Sequence, residues 1–589
     1  MCGILATRGL DAPFHHRQLS SLRRRGPDAM GFWSNADVQM AQTRLSIIGL
    51  DERGNQPMEN DRHVITFNGE IYNFAEIRDR LSARGIRLSG TSDTEVLLHA
   101  WTLWGPAILA DITGFWAFAI YDKTARTLTL VRDQLGIKPI YYLHDGRHTI
   151  VSSLIKSVLE CMRSGPNPIS PEINYDALSE YVRYQFTFGD KTFVRQIRKV
   201  EPGHYLTIDL QSGELTDTCY ENILCPSSPS PLDLSPEAIS HTMSLIERCC
   251  WESTISDTSF TTFCSGGIDS SLITAITRPE VAYHCNYSDP TCNETFFAKE
   301  VIHSLNQQGY PTRLMVVNAQ EDFSLPARVA NILEDFDELT IGSVIFPLDD
   351  LLERVKARYK VILTGTGGDE LFAGYVRYQL ALGSCFQDSY RMMFEKMAHV
   401  EDVTTRFEMT HSKGNTSLYN FYQPKTLDTF RSAYEAGQRD GRGHLEAMLT
   451  FDRRYFLGGL LNIDDKMCGR HSLESRPSFL HQHLVRYVVN LDPQALLGNN
   501  ELKYLLRFAA NRHLPESVVR RTDKMGFTTP VGDFINRNAH LIREQIMDSA
   551  YRDHYDLKSM NFHAENKFSR EVFGLLMLDT WLNKYLPRS

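Results

Sequence analysis

Phe260-Thr261-Thr262-Phe263-Cys264-Ser265-Gly266-Gly267-Ile268-Asp269-Ser270 decides the fold of the larger half of this 589-residue chain. The run from Phe260 to Cys264 is apolar or β-branched, the composition of a short strand. Ser265–Ser270 follows as a glycine-rich turn, and Ser271-Leu272-Ile273-Thr274-Ala275-Ile276 reads as a helix. Strand, turn and helix N-terminus together make an anion site. The glycines let backbone N–H groups approach phosphate oxygens, and the helix end adds positive potential. No lysine follows the glycines, so this is not the loop that holds a triphosphate for phosphoryl transfer. Downstream, Lys360–Leu363 is another strand candidate, running into Thr364-Gly365-Thr366-Gly367-Gly368-Asp369-Glu370-Leu371-Phe372. With Val281–Tyr287 and Thr312–Val317 these runs predict a parallel α/β sheet. Beyond about residue 375 the pattern is mainly helical.

Upstream, Cys225-Pro226-Ser227-Ser228-Pro229-Ser230-Pro231-Leu232-Asp233-Leu234-Ser235-Pro236 reads as a linker. A helix is expected to start near Ser235, with Pro236 at its first position and Glu237 in its first turn. Residues 2–205 are therefore read as one domain, 206–235 as linker and 236–589 as a second domain. The first domain alternates strand-like runs with a few helices and opens Met1-Cys2-Gly3-Ile4-Leu5. Removal of Met1 would leave Cys2 with a thiol and a free α-amine. With a reference pKa of about 7.7–8.0, that amine is a built-in base for the thiol.

Further motifs accompany Cys2: Arg25-Gly26-Pro27-Asp28, Arg44-Leu45-Ser46-Ile47, Asn68-Gly69-Glu70-Ile71-Tyr72-Asn73, Ser92-Asp93-Thr94-Glu95, Gly114-Phe115-Trp116-Ala117-Phe118-Ala119 and Arg132-Asp133-Gln134-Leu135-Gly136-Ile137-Lys138-Pro139. In this order they resemble the glutaminase domain of the class II, N-terminal-nucleophile amidotransferases. The resemblance implies an αββα sandwich with Cys2 as nucleophile. It places Arg44 on the α-carboxylate of glutamine, Asp93 on its α-ammonium and Glu70 within the same site. The Asn68 side chain and the Gly69 N–H are then the oxyanion donors. Each also has a plain structural reading: Arg44 as a surface charge, Asp93 as a helix N-cap, Asn68-Gly69 as a hairpin turn.

Ser265-Gly266-Gly267-Ile268-Asp269-Ser270 is similar to the pyrophosphate loop of the ATP pyrophosphatases, which cut ATP between its α and β phosphates. Thr364 and Gly365 belong to the second segment of that site. Asp269 and Asp369 each fall just past a strand, and carboxylates there suit Mg²⁺ bridging ATP phosphates. Lys503 matches the family lysine that supports the transition state and pyrophosphate, and Lys524 is a second basic candidate. With Asp465-Lys466-Met467 and His471-Ser472-Leu473-Glu474-Ser475-Arg476, nearly the whole chain resembles the glutamine-hydrolysing asparagine synthetase family. The resemblance implies a carboxylate adenylated by ATP and converted to an amide by ammonia made at Cys2. It also implies small-molecule substrates, a homodimer and an internal ammonia route lined by apolar or neutral groups.

The departures concern the acceptor. Thr366 stands where that family carries Glu, and Gly342 follows Thr340-Ile341 where it has Arg. Pro477 comes one place early after Arg476, His481 replaces an Asp, and Leu154 sits where Glu is common. Gly342, Thr366, Glu474 and Arg476 are the candidate acceptor-site residues, with Gly342 expected to leave room for a bulkier acid. Three functions stay open: a glutamine-dependent amide synthetase acting on aspartate or on another carboxylate, a β-lactam- or lasso-type cyclase using an internal amine, or a non-catalytic relative.

Hydrophobic residues make up 42% and charged residues 23% of the chain, which suits sizeable cores. The net charge of −10, with no basic run, argues against nucleic acid. The eleven cysteines form no C-x-x-C pair. No secretory h-region or long apolar run is present, so the cytoplasm, which keeps Cys2 reduced and supplies ATP, is the expected location.

Overall fold

The computed structural model describes all residues except 11–18, 165, 227–229, 341, 385–389, 439–442, 523–528 and 589. The N-terminal half is built from two six-stranded antiparallel sheets. One takes the order Arg198–Lys199, Tyr141–His144, Thr149–Ser152, Gly3–Arg8, Gln39–Arg44, Ala29–Ser34. The other runs Leu215–Cys219, His204–Asp209, Thr127–Arg132, Gly114–Asp122, His63–Ile71, Met58–Glu59. Ile4, Ala6, Met40, Val64, Ala117 and Leu130 meet between the sheets. The helices Phe74–Ser82 and Asp93–Trp104 cover the outer face of the second sheet through Ile77, Leu81, Val96 and Leu97. Ile155–Met162 and Tyr175–Tyr184 cover the first. The αββα sandwich is thus present, and Cys2 sits at the mouth of its Gly3–Arg8 strand.

The stretch 206–235, read as linker, is partly folded. His204–Asp209 pairs with both Thr127–Arg132 and Leu215–Cys219, so ordered sheet extends to Cys219. The helix expected near Ser235 spans Pro236–Glu252, and the Ser235 hydroxyl accepts the Ala238 N–H at 3.2 Å.

The C-terminal half carries a parallel sheet of five strands, ordered Arg313–Asn318, Val281–Asn286, Phe260–Phe263, Val361–Thr364, Glu474–Pro477. The predicted strands are all in it. Glu474–Pro477, a polar run, adds the edge strand that the sequence did not announce. The chain leaves Phe260–Phe263 toward one edge and returns through Val361–Thr364 to the other, so the strand order reverses between these neighbours. Ligand crevices of open α/β sheets lie at such a reversal, beyond the C-terminal strand ends. Both motif loops leave the sheet there. They touch: a Cβ on Gly365 would lie 2.9 Å from the Asp269 Cβ.

Candidate active site

The residues expected to serve glutamine hydrolysis come from the residue before Gly3–Arg8, from the strands Gln39–Arg44 and His63–Ile71, and from the helix Asp93–Trp104. The Cys2 N–H donates to Asn68 Oδ1 at 3.0 Å, and Arg25 Nε donates to the Cys2 carbonyl at 3.0 Å. Asn68 and Gly69 are not a hairpin turn. They lie inside His63–Ile71, opposite Ala117 and Trp116. A Cβ at Gly69 would stand 2.1 Å from the Phe115 carbonyl oxygen, so only glycine fits that pairing. The Asn68 amide nitrogen is buried with no partner among the described residues. A buried orphan donor is costly, and beside a thiol it suits a developing oxyanion. Burial raises the Cys2 thiol pKa.

Arg44 is buried, not a surface charge. Its Nη1 donates to the Asp51 carbonyl (2.9 Å) and Asn55 Oδ1 (3.1 Å), and its Nη2 to the Ile48 carbonyl (3.2 Å) and the Gly49 carbonyl. The guanidinium thus frames the 48–55 loop, and a glutamine carboxylate would have to compete with these carbonyls. Asp93 is the first helical residue rather than the cap, because Ser92 accepts the Glu95 N–H. Its Oδ2 accepts from Ile71 N at 3.1 Å, and burial lifts its pKa to about 6.

Glu70 faces the other domain. Arg476 Nη2 donates to it at 2.6 Å, and Arg476 Nε donates to Glu474 at 2.8 Å. Arg476 Nη1 is held by the carbonyls of Ser253 (2.9 Å) and Ile255 (2.6 Å). Glu474 also lies 3.9 Å from Lys138 Nζ. Glu474 and Arg476, named as acceptor-site candidates, form a charge-paired wall against the N-terminal half, with their groups turned to Glu70 and Lys138. Next to this wall Met1 is buried, its amine donating to the Leu473 carbonyl at 3.3 Å. Burial lowers that amine to about 5.

The synthetase loops assemble a second centre. Lys503 Nζ lies 2.5 Å from Asp269 Oδ2 and 2.6 Å from Asp369 Oδ1. Lys503 adopts a left-handed backbone (φ 58°), which sets it just before the helix Tyr504–Ala510. Such strain is retained where the surroundings demand it, commonly at functional sites. The loop is closed by Ser265 and Ser270, whose hydroxyls meet at 2.8 Å, while Gly267 N donates to Ser265 Oγ at 3.3 Å. A cavity of about 220 Å³ opens here, lined in part by Gly267, Asp369, Gly374, Lys503, Arg507 and Arg521. Two carboxylates and a lysine beside an N–H-rich turn fit a divalent cation with phosphate oxygens. Lys524 and Ile341 lie outside the described residues.

Gly342 does not leave the expected room. Its φ is +146°, and a Cβ there would lie 3.0 Å from both Ile463 Cδ1 and Val344 Cγ1. Apolar side chains already fill the space, and the backbone itself selects glycine. Thr366 bonds to Asp464, with Thr366 Oγ1 donating to Asp464 Oδ2 at 2.5 Å.

Sequence reasoning missed several participants. Arg25 belongs to a quoted motif, but its partner could not be read. It forms a buried bidentate pair with Asp465, at 2.7 and 3.1 Å, across the two halves. Arg521 donates to the Gly266 carbonyl at 3.4 Å and to Glu294 at 2.5 Å beside the Ser265–Ser270 loop. Asp464 carried no signal beyond its charge.

Fold and site together define a two-domain enzyme that couples a glutaminase to an ATP-dependent synthetase. Residues 1–221 match the glutamine amidotransferase domain, and residues 242–583, more than half of the chain, match asparagine synthase. The chain belongs to the asparagine synthase family, and it is an ATP-dependent carbon–nitrogen ligase with glutamine as amide donor. It is 28% identical to asparagine synthetase [glutamine-hydrolyzing] 1 of Bacillus subtilis, covering 96% of this chain and 93% of that one. It is 27% identical to asparagine synthetase [glutamine-hydrolyzing] 3 of the same organism, covering 97% and 94%.

Proposed function

We propose that this ligase activates a carboxylic acid other than aspartate as its acyl-adenylate and converts it to an amide with ammonia released at Cys2. Asp269, Asp369 and Lys503, meeting through one ammonium group, carry the reading. Asp269 and Asp369 would hold Mg²⁺, which neutralises charge on the ATP phosphates. Lys503 and the Ser265–Ser270 turn bind the pyrophosphate that leaves when the acid attacks the α-phosphorus. At the other centre the α-amine freed by loss of Met1 takes the Cys2 proton, the thiolate attacks the glutamine amide, and Asn68 Nδ2 and Gly69 N–H hold the oxyanion.

The acceptor reading rests on the site around Gly342. The arginine common in the asparagine-forming relatives is replaced by a glycine whose neighbours Ile463 and Val344 are apolar. This position supplies no charge clamp for a small amino acid, and one charged hydrogen bond is worth about 1.5–3 kcal/mol. Among the described residues no helix is long and apolar enough to cross a membrane, and a cytoplasmic setting suits a reduced thiol and ATP. AMP release measured with aspartate and with a panel of other carboxylic acids of varied size tests the proposal. The best of them should exceed aspartate by about ten- to a hundredfold, the worth of the charged hydrogen bond that Gly342 does not supply. Efficient asparagine formation at ordinary cellular aspartate would make the enzyme a plain asparagine synthetase.

A further inference from the structure

We infer that Asp464 is the base that takes the proton from ammonia as it attacks the acyl-adenylate, standing in space for the carboxylate that Thr366 lacks. The inference rests on the carboxylate-activating reading above. Thr366 lies in the loop after Val361–Thr364, whose next residue toward the sheet, Gly365, packs on Asp269. Asp464 comes from a different element, the helix Leu457–Arg470. It reaches into this loop, and three hydroxyls converge on its Oδ2: Thr366 (2.5 Å), Thr364 (3.3 Å) and Ser475 (3.4 Å). They leave Oδ1 without a hydrogen bond among the described residues. A carboxylate fixed through one oxygen, with the other unengaged, has the form of a positioned base.

The helix also sets direction. Asp464 and Asp465 are adjacent but point to different centres. Asp465 binds Arg25, which holds the Cys2 carbonyl. Asp464 binds the loop beside the phosphate site. A route for nitrogen from Cys2 along this helix would end at Asp464. In the step, the nitrogen lone pair forms a bond to the acyl carbon, a proton passes from nitrogen to Asp464 Oδ1, and the bond to the AMP oxygen breaks with its electron pair leaving on AMP. The groups facing Asp464 are the three hydroxyls, the Asp465 carboxylate behind it and the Cys468 thiol one turn on. No cation forms an ion pair with it among the described residues. Burial accordingly holds its pKa at about 6, so it is ionised at neutral pH yet basic enough to accept a proton.

The test separates the two half-reactions in the full chain. Pyrophosphate–ATP exchange reports adenylation, and amide formation from ammonium chloride reports the second step. Both use the acid of the panel that gives the fastest AMP release. Asp464→Asn, which keeps the size of the side chain, should leave exchange within about threefold and lower amide formation by about a hundredfold, the usual worth of a positioned base. The limb of the amide rate that rises through about pH 6, at fixed free ammonia, should vanish with it. Thr366→Glu added to Asp464→Asn should restore at least about tenfold, which a merely structural role would not allow. Unchanged amide formation in Asp464→Asn overturns the inference. So does a loss of exchange matching the loss of amide, which would make Asp464 a binding group for the acid. Absence of exchange in the unsubstituted enzyme with every acid overturns the carboxylate-activating reading and this inference with it.

Discussion

At Cys2 the chemistry depends on atoms that the fold has already placed. Its N–H is held by Asn68 Oδ1, which turns the same side chain so that Nδ2 remains as a donor. Cys2→Ala is expected to abolish glutamine use and to leave ammonium-supported synthesis largely intact, because the second centre shares no residue with the thiol. Glutamine turnover surviving in that variant would remove Cys2 from the mechanism. Asn68→Ala should lower glutamine turnover by about a hundred- to a thousandfold, as loss of one oxyanion donor does, with ammonium-dependent synthesis as the internal control. Asp93 adds a pH dependence. Burial raises its pKa to about 6, so it is protonated below that pH and cannot pair with the glutamine ammonium. The Michaelis constant for glutamine should therefore rise as pH falls through 6, and Asp93→Asn should flatten that rise. A flat constant between pH 5 and 8 in the unsubstituted enzyme would take Asp93 out of substrate binding.

Among the elements, the two loops at the strand reversal make the strongest demand. Asp269 comes from one and Asp369 from the other, and both meet Lys503 from a third segment. Asp269→Asn or Asp369→Asn should lower synthesis by about a hundredfold or more while glutamine hydrolysis persists. The products should be AMP and pyrophosphate; ADP and phosphate would contradict adenylation. These loops were legible because each follows a run, Phe260–Phe263 or Val361–Thr364, whose apolar and β-branched residues have no alternative but a buried strand. Glu474–Pro477 was not legible as a strand. All four of its residues are buried, but Glu474 and Arg476 enter the interior as an ion pair rather than by apolarity, which no hydropathy pattern marks. His204–Asp209 and Leu215–Cys219 were passed over for another reason. They are half-exposed strands at the sheet edge, next to a proline- and serine-rich stretch that dominated the reading. The residues around Cys2 can be picked out of the sequence as a set, yet their partners cannot, because Asp465, Leu473 and Arg476 lie hundreds of residues away.

Across the whole molecule, the boundary between the two centres is charged. Arg25–Asp465, Glu70–Arg476–Glu474 and Glu474–Lys138 are buried there. Each of these groups has a partner of opposite kind, and burial raises the Glu70 carboxyl well above its usual range. Met1 lies within this wall, against Leu473 and with its sulfur 3.6 Å from Arg25 Nη2. Its removal would therefore free the Cys2 amine and clear the space between Cys2 and the Glu474–Pro477 strand in one step. A chain that keeps Met1 behind an uncleaved N-terminal tag should neither hydrolyse glutamine nor pass nitrogen, and tag removal to expose Cys2 should restore both. The Arg25–Asp465 pair is the sharper probe of coupling. Removing one partner of a buried pair leaves a bare charge and costs about 3–5 kcal/mol, so Arg25→Ala alone should unfold at markedly lower temperature. Arg25→Met with Asp465→Leu replaces both charges and should recover most of that stability. Without the link from the Cys2 carbonyl to the helix carrying Asp464, this double variant should hydrolyse glutamine without matching amide formation. The ratio of glutamate to amide product should rise several-fold over that of the unsubstituted enzyme. A ratio unchanged in a stable double variant would show that the two centres are coupled by some path other than this helix.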